Sequence, residues 1–111
     1  MDTPGYDIES MAALAAGGAQ LIIFTTGRGS TAGFPAIPVI KVASNSTTYE
    51  NMPGDMDINA GTIVSEGEAL EKVGEAIFQK ILNVASGDQT LSESQGLGDY
   101  EFVPWQIGAT M

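Results

Sequence analysis

The sequence predicts a layered α/β domain with a short, mostly parallel sheet and flanking helices. Three observations carry this. The unbroken apolar run "LIIFTT", Leu21 to Thr26, has the composition of a strand buried on both faces, as in a parallel sheet. A second such run, "VIKVAS", spans Val39 to Ser44. Segments of helical periodicity lie before and after these runs, and alternating helices and buried strands define layered α/β architecture. A length of 111 residues suits one domain, taken here as 1–111.

In chain order, "GYDIESMAALAAGG" reads as a helix. Asp7 is a suitable N-cap, Ile8, Met11 and Ala15 follow at helical spacing, and Gly17 and Gly18 stop it. The first strand and a glycine loop follow. Then "FPAIP", Phe34 to Pro38, carries two prolines that forbid a helix. After the second strand, Thr47 and Glu50 have capping-box spacing and predict one helical turn before Pro53 and Gly54. "MDINAGTIV" holds a third short strand. Ser65 and Glu68 form a further capping box, opening a helix whose apolar stripe is Leu70, Val73, Ile77, Phe78 and Ile81 and which Gly87 ends. Glu68 and Lys72 are spaced for an i,i+4 pair. Residues 88–111 form a tail rich in glycine and acids, whose aromatic knot "YEFVPW" is expected to dock on the domain. The predicted layering is Rossmann-like.

Charge and composition exclude whole classes of function. The net charge is −10, and Arg28, Lys41, Lys72 and Lys80 are the only cations. Such a chain repels nucleic acid and anionic lipid. No apolar run approaches a membrane span. The expectation is a soluble, cytoplasmic chain with neither nucleic-acid nor membrane partners. Histidine and cysteine are absent, which removes the commonest neutral-pH proton shuttle and all thiolate chemistry.

The most informative stretch is "FTTGRGSTAG", which holds the single arginine. "GRGSTA" satisfies the G-x-G-x-x-G/A pattern after a strand. A dinucleotide site also needs a helix starting inside the motif, and Gly33, Pro35 and Pro38 block it. A plain tight turn would need the glycines only for positive φ. The alternative is an anion site. Backbone N–H groups of Gly27 and Gly29, the hydroxyls of Thr25, Thr26, Ser30 and Thr31, and the planar fork of Arg28 together suit a carboxylate. Asn45, just past the second strand, joins the same candidate substrate-binding set.

"DMDIN" invites a metal reading through Asp55 and Asp57. As a calcium hand it fails, because Ala60 stands where the loop glycine belongs. One carboxylate donated to a shared metal and solvent-facing acids both stay open. Lys41 interrupts an apolar strand. It is read either as the polar position of an alternating pattern or as an active-site cation, and it is the sole candidate for a catalytic role.

"MDTPGYD", "GGAQLIIFTTGRGS", "IPVIKVASNS", "DMDINAGTIV" and "GDYEFVPWQIGATM" together resemble the C-terminal part of the altronate/galactarate dehydratase family, in order and spacing. The related sulfolactate sulfo-lyase large subunits are similar here too. The resemblance implies a hydro-lyase that converts altronate or galactarate to a 2-keto-3-deoxy acid and water. It implies a divalent metal, iron with manganese as the alternative, with ligands mainly outside this chain. It also implies that the chain corresponds to a C-terminal fragment, with the rest of the polypeptide as a partner and "MDTPGYD" as an internal segment. On that reading the chain alone is inactive. A non-catalytic sugar-acid binding module and an assembly domain are the competing functions, and a homo-oligomer stays open.

Overall fold

The computed structural model describes Gly5 and residues 7–97. The aromatic knot of residues 100–105 lies outside the described residues. The order of elements is α1 (Asp7–Ala16), β1 (Ile22–Thr26), β2 (Val39–Ala43), α2 (Ser46–Asn51), β3 (Ile58–Asn59), α3 (Thr62–Ser65), α4 (Leu70–Ala85) and α5 (Leu91–Ser94). The three strands form one small open parallel sheet in the order β1-β2-β3, flanked by helices. The layered α/β class read from the sequence is therefore the observed one.

Every residue of β2 is buried, because β2 is the central strand and both faces are covered. One cluster joins Met11 of α1, Ile22, Val39, Ala32 and Ile37. The other joins Ile40, Val42 and Val84 of α4, with Ile77, Ile81 and Leu21 packed against them. Successive strand residues point to opposite faces. The sheet thus separates an α1 layer from an α4 layer. Burying an aliphatic side chain of this size stabilises by about 1.5–3 kcal/mol.

The structure corrects several local expectations. β1 is not buried on both faces. It is the outer strand, and Ile23 and Thr25 are exposed on it. Lys41 is not a solvent-facing polar position in an alternating strand, since β2 has no exposed side and Lys41 is fully buried. The cap of α2 is Asn45 rather than Thr47: its side chain accepts a hydrogen bond from the Thr48 N–H at 2.8 Å. The third strand is confined to Ile58–Asn59, after which the chain turns into α3.

The capping box at Ser65 and Glu68 does not form either. Ser65 ends α3, and its hydroxyl donates to the Gly61 carbonyl at 3.1 Å. α4 starts later, at Leu70, with Ala69 as its N-cap. Glu68 nevertheless pairs with Lys72 at 3.0 Å, as its spacing predicts. In the apolar stripe, Val73 is buried and Ile77 and Ile81 are half-buried, but Leu70 and Phe78 are exposed. Val84, outside the predicted stripe, is buried instead.

Within the 88–97 part of the tail, α5 carries a capping box of Thr90 and Glu93, invisible to a reading that treats the segment as glycine-rich tail. Thr90 and Ser92 are buried, and α5 lies against β2. No helix among the described residues is long and apolar enough to cross a membrane.

Candidate functional site

In a parallel sheet all strands end on one side. The turns after β1, β2 and β3 therefore meet along one rim, where open α/β sheets take their ligands. The glycine loop leaves β1 at this rim. It does not form the crossover helix usual between parallel strands. Instead its continuation crosses the α1 face without regular secondary structure, through a turn at residues 35–36, burying Ala32 and Ile37.

The loop is fixed from within and from outside. The Thr26 hydroxyl accepts from the Gly29 N–H at 3.1 Å, and the Ser30 hydroxyl accepts from the Ala32 N–H at 3.1 Å. The Gly27 carbonyl accepts from Asn45 Nδ2 and from Thr48 Oγ1, both at 2.7 Å. Gly29 adopts a φ of +90°, and a Cβ there would collide with Met52 Sδ. The backbone conformation favours glycine at this position, and a side chain there would also have to displace Met52.

This geometry redistributes the predicted binding set. The N–H of Gly29 is spent on Thr26, so it does not serve a ligand nest. Asn45 is also committed, its oxygen to the Thr48 N–H and its nitrogen to Gly27. Thr25 points to the opposite sheet face from Thr26, by strand alternation. Thr26 and Ser30 keep hydroxyl hydrogens to donate. Arg28 is exposed, and among the described residues it makes no ion pair or hydrogen bond. An open cleft of about 550 Å³ is lined by residues 24–29 together with Asp7.

Lys41 lies in register with Phe24, a wall residue of this cleft, but is itself shut off from solvent. The backbone at Lys41 is bound on both sides by Asp57: the Lys41 N–H donates to Asp57 Oδ2 at 2.9 Å, and the Asp57 N–H donates to the Lys41 carbonyl at 2.9 Å. Asp57 Oδ1 accepts from the Leu91 N–H at 3.1 Å, with Lys80 Nζ at 3.7 Å. Asp57 thus clips β2, α5 and α4 together. Its oxygens are committed to the fold, and no group of three or more acids among the described residues could hold a metal ion. Asp55 and Asp57 do not make a metal site with their described neighbours.

The rim also contains residues that sequence reasoning missed. Ser46 Oγ lies 3.1 Å from Asn59 Nδ2 and 3.0 Å from Ser65 Oγ, and Asn59 Oδ1 accepts from the Gly61 N–H at 2.9 Å. Gly61 is packed so closely that a Cβ would strike the backbone of Asn45 and Ser46. The usable signal was the run Asn45 to Thr48, dense in capping residues directly after a buried strand.

The chain matches the family model described as "D-galactarate/Altronate dehydratase, C-terminal" over residues 1–110. It is 43% identical to the galactarate dehydratase (L-threo-forming) of Escherichia coli strain K12, over 86% of this chain and 18% of that protein. It is 39% identical to the altronate dehydratase of Bacillus subtilis strain 168, over 78% of this chain and 17% of the relative. Against the (2R)-sulfolactate sulfo-lyase subunit beta of Chromohalobacter salexigens the identity is 31%, over 93% of this chain and 26% of the subunit. The chain thus spans between about a sixth and a quarter of the length of these curated relatives. With nearly its whole length under the family model, the chain belongs to the D-galactarate/altronate dehydratase family and corresponds to its C-terminal domain.

Proposed function

We propose that this chain serves a sugar-acid dehydratase as the part that holds a substrate carboxylate, with Arg28 as the anchor. The reaction on this reading converts altronate or galactarate to a 2-keto-3-deoxy acid and water. The observation that carries it is an exposed guanidinium, without a partner among the described residues, on a loop fixed at its base by Asn45 and Thr48. An overall charge of −10 makes that one local cation the feature that draws an anion to this rim. The fork binds both carboxylate oxygens, while Thr26 and the Asp7 carboxylate face a polyhydroxylated chain with donors and acceptors.

Dehydration of a 2,3-dihydroxy acid removes a proton beside a carboxylate and expels hydroxide, which must leave protonated or metal-bound. A guanidinium only donates hydrogen bonds, so Arg28 holds and orients and another group takes the proton. A divalent metal, iron or manganese, belongs to this reading only with ligands beyond the described residues. The 111-residue chain alone is then inactive. The match to a sulfo-lyase subunit supports a second reading, in which the same loop holds the carboxylate of sulfolactate.

The test is steady-state turnover of altronate, galactarate and sulfolactate by a full-length protein carrying this domain, before and after Arg28→Ala. Loss of kcat/KM on one substrate supports the reading and names the acid. Unchanged kinetics on all three would remove the arginine from the site. Turnover by the isolated chain above a metal-only control would sink the claim that it is inactive alone.

A further inference from the structure

We infer that Met52 is an oxidation switch for the Arg28 loop: conversion of its thioether to a sulfoxide releases the loop from its seat on α2. The inference concerns the shape of the loop and holds whatever acid Arg28 receives. α2 meets the loop through two residues four apart, Thr48 and the C-cap residue Met52, whose N–H donates to the Thr48 carbonyl at 3.1 Å. The Thr48 hydroxyl donates to the Gly27 carbonyl at 2.7 Å. The Thr48 methyl and the Met52 sulfur close on Gly29, and the sulfur fills the place where a side chain at this position would stand. Gly29 therefore rests on a small apolar seat.

Exposure singles out this methionine. Among the described residues the others are Met11 and Met56, each 1% exposed, whereas Met52 is half-buried. A peroxide reaches a half-buried sulfur before a fully buried one. The step balances. Hydrogen peroxide gives one oxygen atom to a sulfur lone pair, its O–O bond breaks, the thioether is oxidised and the peroxide leaves as water. A sulfoxide reductase returns the thioether and resets the switch.

A sulfoxide is polar, chiral and larger by one oxygen, and that oxygen is an acceptor set in a seat of methyl and sulfur. The Gly29 N–H is already spent on the Thr26 hydroxyl at 3.1 Å. Either the new oxygen takes this N–H from Thr26, or the Met52 side chain swings out of the seat. Both remove a constraint from Gly29, which directly follows Arg28. Asn45 and Thr48 still hold Gly27, so the loop loosens at one end while the sheet stays intact.

The experiment treats the 111-residue chain with hydrogen peroxide, reading oxidation by peptide mass spectrometry and amide exchange by NMR. Met52 should oxidise about tenfold faster than Met11 and Met56. Exchange at Gly29 should then accelerate about tenfold, while Val42, buried in the central strand, keeps its protection. Methionine sulfoxide reductase should reverse the change. Met52→Leu should keep the slow exchange of the untreated chain and be indifferent to peroxide. Met52→Gln places a polar acceptor on the seat without any oxidant and should speed exchange at Gly29 by itself. Oxidised Met52 with unchanged exchange at Gly29 would overturn the proposal, as would a peroxide response that persists in Met52→Leu. So would a Met52→Gln chain that protects Gly29 as the parent does, or oxidation of Met52 no faster than of Met11 and Met56. Equal loss of protection at Val42 would make oxidation a general unfolding event and overturn it too.

Discussion

Asn45 and Gly27 are joined by a 2.7 Å hydrogen bond from the Asn45 amide to the Gly27 carbonyl, so the cap of α2 is also the post that holds the Arg28 loop. One side chain links helix initiation to loop shape. Asn45→Ala should cost about 0.5–2 kcal/mol through the lost cap. It should also leave Gly27 held by Thr48 alone. A melt measures the first effect, and faster amide exchange at Gly29 reads the second. Unchanged exchange would mean that Thr48 suffices to fix the loop.

Arg28→Lys separates charge from fork. Lysine keeps the positive charge but not the planar pair of donors, so a full-length protein should remain clearly impaired. Alanine should lower kcat/KM about tenfold to a hundredfold, equivalent to a charge-assisted contact of about 1.5–3 kcal/mol. A rise in KM alone would mean ground-state holding, and a fall in kcat would add positioning for deprotonation. The melt should barely move, because the exposed side chain supports no core contact. A large drop in melting temperature with normal kinetics would make the residue structural.

Asp57 is expected to act on stability. Asp57→Ala leaves the N–H groups of Lys41 and Leu91 without their acceptor, at about 1–3 kcal/mol for each buried donor. Asp57→Asn keeps one acceptor and should cost less. Denaturant unfolding of both variants decides between a clip and a metal ligand. A stable Asp57→Ala chain that has lost a bound metal would support the ligand.

Val84 and Phe78 test the orientation of α4. Val84→Ala removes buried methyl groups and should cost about 1–3 kcal/mol. In the isolated chain Phe78→Ala should stay within about 0.5 kcal/mol. Reversed magnitudes would rotate the helix and restore the stripe read from the sequence.

Glu68 supplies a pH dependence. The Thr62 hydroxyl, and then Lys72, hold its carboxyl below the usual glutamate value. A carboxyl depressed in the folded chain stabilises fully above its unfolded pKa, near 4.3. That contribution disappears as pH falls through the folded value. An NMR titration should therefore find Glu68 titrating below 4.3, and Thr62→Val should raise it more than Lys72→Gln does. The opposite ranking would make the ion pair dominant.

The periodicity of the chain carries the sheet and its helices, because apolar runs and helical spacing report burial directly. It does not report position within the sheet. "LIIFTT" and "VIKVAS" look alike, yet one is an outer strand and the other central, since neighbours in space decide which faces are covered. Capping spacings recur by chance in a sequence rich in Ser, Thr and Glu. Thr47 and Ser65 lost to Asn45 and Ala69 because the chain enters each helix elsewhere. At the rim, the composition of the Arg28 loop was legible. The spending of Asn45 and of the Gly29 N–H was not, because both partners depend on how the loop folds back.

The three strands lie side by side in the order in which they are synthesised. No strand has to be threaded between two others, and each pairs with its immediate predecessor. Loop-closure entropy is then met in small successive steps. Assembly can follow the chain as it emerges, first β1 with β2, then β3, then α4 over one face. The Arg28 loop is made early but shaped late. Its base carbonyl waits for Asn45 and Thr48, so on the nascent chain the candidate site matures only after the second strand and its helix have docked.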